Sequence, residues 1–221
     1  MSMPIRGLIF DMDGTIVDNM RFHDDAWEAW HAKYALPFDR PNFFGRTAGR
    51  TNPEIIGELF PDLSHDEIVA RGMEKEALYV ELYRPHVRAV SGLTELMARA
   101  EAADVPMAVG TAAPNDNIAV VLDTLTLRER FRTIVSPSQG FRGKPHPDMF
   151  LAAAERMGVA PAECVVFEDA PLGIEAARRA GMRAVAMLTM LTASDFAPFD
   201  NVIAAVPNFA DLDGRFAFRV G

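Results

Sequence analysis

The sequence predicts an α/β protein built on a doubly wound parallel sheet, with an all-helical domain inserted after the first strand. Three observations predict it. From residue 85 onward, short apolar runs alternate with segments of helical periodicity, the pattern of a parallel sheet covered on both faces. Another such run, Leu8-Ile9-Phe10, stands apart near the N-terminus. Between them, residues 17 to 84 carry helical spacing and no convincing strand. The isolated first strand must rejoin a sheet whose other strands begin only after residue 104. Residues 17–84 are therefore expected to form a cap, joined near Asp18 and Pro85 to a core of residues 1–16 and 85–221.

Each element has its own justification. Leu8 to Phe10 reads as a buried strand, and Gly14 supplies a freely bent backbone where the chain turns away. Phe22, Ala26, Ala29 and Trp30 recur at helical spacing over 19–35, and Leu36-Pro37 closes that segment. A helix is expected from Asn52 to Leu59, with Pro53 in its first turn. Ser64, followed by Glu67, forms a capping box for a helix reaching Tyr83 with a break on the way. The core then reads as helix 92–102, strand 105–109, helix 117–125, strand 133–135 and helix 148–157. Strand 165–167 follows, then helix 172–180 stopped by Gly181, and strands 185–188 and 202–205.

Composition narrows the function. The chain has 221 residues, 49% of them hydrophobic, enough for a full core. Its net charge of −9 argues against a general nucleic-acid binder and against a polybasic membrane-surface protein. No apolar run approaches the roughly 20 residues of a membrane span. Met1-Ser2-Met3-Pro4 leads straight into a strand, so no signal peptide is expected. The single cysteine, Cys164, beside Val165-Val166-Phe167, reads as a buried structural thiol. A cytoplasmic protein, monomer or weak dimer, is the expectation.

The chemistry gathers at the strand ends, where open α/β sheets bind their ligands. The first strand ends on Asp11 and Asp13, two carboxylates that extended geometry points the same way. That crowding is costly unless a cation or a shared proton relieves it. Alone, Asp-x-Asp-Gly is as well read as a polar turn, and Thr15-Ile16-Val17 does not continue it as an EF-hand loop. Later strands add Thr111, Lys144, Glu168 and Asp169. Carboxylates without histidine or thiolate partners make a hard site suited to Mg2+. The set suits phosphoryl transfer: Asp11 as nucleophile, Asp13 as proton donor and acceptor, Lys144 balancing negative charge as the transition state forms, and Thr111 holding a phosphoryl oxygen by its hydroxyl.

Taken in order, Asp11-Met12-Asp13-Gly14-Thr15, Thr111, Lys144 and Glu168-Asp169 resemble the motifs of the haloacid dehalogenase superfamily, over essentially the whole chain. The likeness is to its branch of phosphatases and β-phosphoglucomutases with a helical cap. The resemblance implies a Rossmann-like core, a small phosphorylated metabolite as substrate, and magnesium held by Asp11, the Asp13 carbonyl and Asp169, with Glu168 in support. It implies substrate contacts from Gly14, Thr15, Ala112 and Asn115. His23 looks like a cap histidine that couples closure to Asp13, and Arg50 like a cap arginine for a second phosphate, with Arg46 as a competitor. Asp13 argues against dehalogenation. Pro114 stands where the mutases carry a lysine, and it supplies neither charge nor N–H. A phosphatase acting on a sugar phosphate is the expectation, with the mutase as its rival. A catalytically quiet binding protein is a third reading, against which the intact motifs argue.

Overall fold

Six parallel strands form one sheet in the order β3-β2-β1-β4-β5-β6. They are β1 (Gly7–Phe10), β2 (Met107–Gly110), β3 (Thr133–Val135), β4 (Cys164–Glu168), β5 (Arg183–Met187) and β6 (Val202–Val206). The structure, a computed structural model, describes residues 5–47 and 50–212. Met1 to Pro4, Gly49 and residues 213–221, on which the sequence reading also drew, lie outside the described residues. The doubly wound expectation is met, and the strand order reverses between β1 and β4, where such sheets open a crevice.

Alternation along the strands builds two cores. Leu8, Phe10, Val165 and Phe167 face one side of the sheet, under α5 (Leu93–Ala102) and α6 (Asn115–Thr124). Phe10 stacks on Phe167 at 4.8 Å between ring centroids. Ile9, Cys164 and Val166 face the other side, under α7 (Asp148–Met157) and α8 (Pro171–Arg179). A short helix, α9 (Ala193–Phe196), completes the core. Cys164 is buried and free, as expected.

The insertion folds as α1 (Met20–Lys33), α2 (Arg40–Thr47), α3 (Asn52–Leu59) and α4 (His65–Tyr83). Trp27, Trp30, Phe43, Ile55 and Ile56 form its own core. Trp27 takes the place expected of Ala29, which is exposed. Helix α2 has no counterpart in the sequence reading, because only Phe43 of its described side chains is buried and its apolar period is too sparse to see. Arg40 pins its start to Asp25 and Glu28 of α1. Helix α4 runs without the expected break, and both halves of its Ser64–Glu67 capping box are made. The two connections to the core hold each other: Val90 N–H donates to the Ile16 carbonyl at 2.9 Å, and Val17 bridges Ala89.

Candidate active site

Strand parity decides which carboxylates meet. Asp11 follows Phe10, whose partner across the ladder is Phe167, so Asp11 emerges beside Glu168. Its amide donates to the Phe167 carbonyl at 2.9 Å, fixing that register to the strand's last residue. Asp11 has the parity of Ile9, and Glu168 that of Val166, so both point toward the face covered by α7 and α8. The loop before α7 brings Lys144 to the same side. Its Nζ donates to Asp11 Oδ1 at 2.6 Å and to Glu168 Oε1 at 2.5 Å, with all three side chains buried.

Asp169, the next residue, packs against Gly14. A Cβ at Gly14 would fall on the Asp169 carboxylate, and the Gly14 φ of +76° also disfavours any side chain. Gly173 plays the same part for Glu168, whose carboxylate occupies the space its missing side chain leaves. Thr111 closes β2, with its hydroxyl oxygen accepting from the Ala113 amide at 3.1 Å, so the hydroxyl proton is left to donate.

Asp13 is held differently. Asn19, at the position that caps α1, makes no capping bond with its side chain. Instead Asn19 Oδ1 accepts from the Gly14 amide at 3.0 Å, and Nδ2 donates to Asp13 Oδ1 and to the Tyr79 hydroxyl, each at 2.6 Å. His23 stacks flat on Tyr79 with its Nε2 3.6 Å from Asp13 Oδ1. The acid pair is therefore tied to the inserted helices from its first turn.

Electrostatics follow from burial. Burial, then the charges of Glu168 and Asp13, push the Asp11 carboxyl up to about 7 against the pull of Lys144. Burial with Glu168 and Asp11 drives Asp169 well above the carboxylate range. Burial alone would lower the Lys144 ammonium, but Asp11 and Glu168 outweigh it and hold the charge firmly on. One carboxylate oxygen from each of Asp11, Glu168 and Asp169 lies within 4.8 Å of the other two, the one such acidic cluster among the described residues. Asp169 Oδ2 is buried with no hydrogen-bond partner, an oxygen that needs a cation or a proton. Both Glu168 oxygens are already engaged, by Lys144 and by the Ala170 amide at 2.7 Å. An all-oxygen donor set of this kind fits Mg2+, with Asp11 and Asp169 better able to ligate than Glu168.

These groups open into a cleft of 1320 Å³ between the inserted helices and the sheet. Asp11, Asp13, His23, Arg50, Thr111, Ala112, Asn115, Lys144, Glu168 and Asp169 all line it. Gly14 and Thr15 do not: Gly14 turns the chain beneath Asp169, and Thr15 is fully buried. Both residues therefore shape the loop that carries Asp13. Asn115 is exposed and accepts from Ser138 at 2.9 Å, and Arg50 is turned toward Glu58 at 2.9 Å.

A family model of haloacid dehalogenase-like hydrolases matches residues 5–181. The chain belongs to the haloacid dehalogenase-like hydrolase family. Within this family it is 36% identical to a fructose-1-phosphate phosphatase of Escherichia coli, over 81% of this chain and 94% of that protein. It is 31% identical to the β-phosphoglucomutase of Bacillus subtilis, over 82% of each. The fold matches a haloacid dehalogenase-family hydrolase from Entamoeba histolytica with a TM-score of 0.85, at 24% identity and 96% coverage of both chains. The haloacid dehalogenase-like core and its inserted helical cap are thus the architecture of this chain, and it is an enzyme of the family's phosphatase group.

Five residues of the cleft and its supports escaped the sequence reading: Asn19, Lys75, Glu76, Tyr79 and Asn117. Asn19 looks like an ordinary helix cap. Lys75, Glu76 and Tyr79 had a signal in the phase of α4, where Gly72, Lys75, Glu76, Tyr79 and Tyr83 share one buried face, whereas Asn117 lies in α6 and reads there as an ordinary helix residue.

Proposed function

We propose that the protein is a Mg2+-dependent phosphatase that hydrolyses a small phosphate monoester, of the sugar-phosphate class, through an aspartyl-phosphate on Asp11. The observation that carries this reading is the set of contacts at one strand edge: Lys144 2.6 Å from Asp11, Asp13 two residues on, and the partnerless Asp169 oxygen beside them. The fructose-1-phosphate phosphatase relative supports the substrate class.

In this account an Asp11 oxygen attacks phosphorus. Lys144 balances the charge that builds on the phosphoryl oxygens, and the Thr111 hydroxyl with the Ala112 backbone holds one of them. Asp13 gives a proton to the leaving oxygen, then takes one from the water that cleaves the aspartyl-phosphate and frees Asp11. Asn19 donates to Asp13 Oδ1, with His23 Nε2 3.6 Å from the same oxygen, so the second oxygen carries that proton. Bound magnesium, held by Asp11, Asp169 and the Asp13 carbonyl, would offset the repulsion between carboxylate and phosphate. Residues 17–84 act as the cap that excludes water during transfer, with His23 linking closure to Asp13.

A phosphate-release screen over sugar, nucleotide and amino-acid phosphates, with and without a chelator, tests this reading. Chelation and Asp11→Asn should each abolish release. Full activity in Asp11→Asn under saturating magnesium would refute the mechanism. The Bacillus subtilis relative favours a second reading, phosphoglucomutase activity with the same aspartyl chemistry. Interconversion of the two glucose phosphates with negligible free phosphate would establish that reading in place of the first.

A further inference from the structure

Across the cleft from the acidic strand edge, α4 sets Lys75 and Glu76 side by side, 1% and 9% exposed. Adjacent charged residues on a helix ordinarily face solvent. Here Glu76 Oε1 accepts from Asn52 of α3 at 2.6 Å and from Lys75 Nζ at 3.0 Å, and its Oε2 accepts from Asn117 of α6. Cap and core thus both hold this carboxylate. Burial alone would raise its pKa, but Lys75, His23 and the two amides outweigh burial and bring it to about 2. It is a fixed negative charge inside the cleft.

Two cap cations that line the cleft, Lys75 and Arg50, are already answered; Arg84, which also lines it, is exposed and follows the end of α4. Lys75 Nζ spends its donors on Glu76 and on His23 Nδ1, the latter at 2.8 Å. Arg50 meets Glu58 and, at 3.2 Å, the Glu54 carbonyl. A phosphoryl group at Asp11 would find Lys144. A second anionic group reaching the cap would find Lys75 and Glu76 already paired, with no net positive charge to offset its desolvation in a site where water screens poorly. Hydroxyl groups meet no such penalty, since Glu76 can accept from them.

We propose that Glu76 is a specificity-determining residue that confines the cleft to monophosphate esters with an uncharged, hydroxyl-bearing remainder and rejects those carrying a second phosphate at the cap end. The proposal rests on the phosphatase reading for the end of the substrate that faces Asp11. Its test reads binding, so the two can fail separately: the phosphatase reading falls if the native protein releases no phosphate from any monoester.

The probes are fructose 1-phosphate and fructose 1,6-bisphosphate, which differ only in the distal phosphate. Each is titrated calorimetrically, with magnesium, into the Asp11→Asn protein, which cannot turn it over. The monophosphate should bind more tightly by about tenfold or more. Adding Glu76→Gln should shrink that ratio by about tenfold, whereas adding Glu76→Asp should keep it. Because Glu76→Gln disturbs a buried network and can unfold the chain, Lys75→Met is the second arm. It leaves Glu76 uncompensated and should widen the ratio. Equal or tighter binding of the bisphosphate, a ratio unmoved by Glu76→Gln, a ratio not widened by Lys75→Met, or no binding of either probe would each overturn the proposal.

Discussion

Replacing Lys144 by methionine removes the ammonium that two buried carboxylates share. The contacts are 2.6 Å to Asp11 and 2.5 Å to Glu168, and none of the three side chains is more than 8% exposed. At an effective dielectric of about 20, each contact is worth about 6 kcal/mol of Coulomb energy. Much of that is returned, because methionine needs no desolvation and the stranded carboxyls can take up protons. Removing one partner of a buried pair typically costs about 3–5 kcal/mol in net terms. For a chain of this length about 4 kcal/mol corresponds to a fall in Tm of about 8–16 °C. Thermal unfolding of Lys144→Met and native protein, in chelator and in millimolar magnesium, measures it. Magnesium should restore part of the loss, because the cation brings positive charge to the same carboxylates. Phosphate release should fall by about 10²–10³ even in magnesium, since the charge developing on the phosphoryl oxygens loses its fixed partner. A Tm within about 2 °C of native in chelator, together with undiminished turnover, would refute the reasoning.

Three further outcomes follow from other contacts. In Gly173→Ala the new methyl would meet the Glu168 carboxylate, so phosphate release should drop about tenfold or more while the fold survives; unchanged activity would show that Glu168 can shift freely. Asn19→Ala breaks three hydrogen bonds, to the Gly14 amide, Asp13 and Tyr79, and should cost about 1–3 kcal/mol in urea unfolding with kcat reduced more than KM is raised; a kcat equal to native would remove Asn19 from the account of Asp13. Burial holds the His31 imidazole below its ordinary 6.5, with only the Trp27 carbonyl opposing, so it stays neutral in the fold while the unfolded chain takes up a proton. The stability it lends is therefore complete above pH 6.5 and declines as pH falls below it, and His31→Phe should flatten the urea midpoint between about pH 7 and pH 5; an equal slope in both proteins would contradict the neutral assignment.

How much of this was legible in the sequence depended on whether a residue's surroundings were local. The strands and most helices declared themselves by apolar period, and their ends fell within a few residues of the structure. Asp11, Thr111, Lys144 and Asp169 were legible because each closes or follows an apolar run, and a parallel sheet must bring such ends to one edge. Residues whose partners lie far along the chain were not. Glu76 reads as a solvated helix residue until Asn117, on a helix of the core, is seen to donate to it. Asn19 reads as a cap until its side chain is found reaching back to Asp13 and Gly14. The need for glycine at position 14 was legible only as a turn, because the close approach of Asp169 is a contact from far along the chain. Helix α2 was hidden because its hold on α1 rests on one buried aromatic, Phe43, and on the ion pairs of Arg40, and neither leaves a period in the sequence.

The central claim is that Asp11 carries the phosphoryl group during turnover. Its most direct measurement is rapid acid quenching of the native protein with magnesium and a turning-over sugar phosphate, followed by mass spectrometry of the peptide containing residues 7–21. The account predicts a transient phosphoryl adduct on Asp11 that forms at least as fast as phosphate appears, that accumulates when Asp13→Ala slows its hydrolysis, and that is missing in Asp11→Asn. Phosphate release at the native rate with no adduct on Asp11 at any quench time would contradict it.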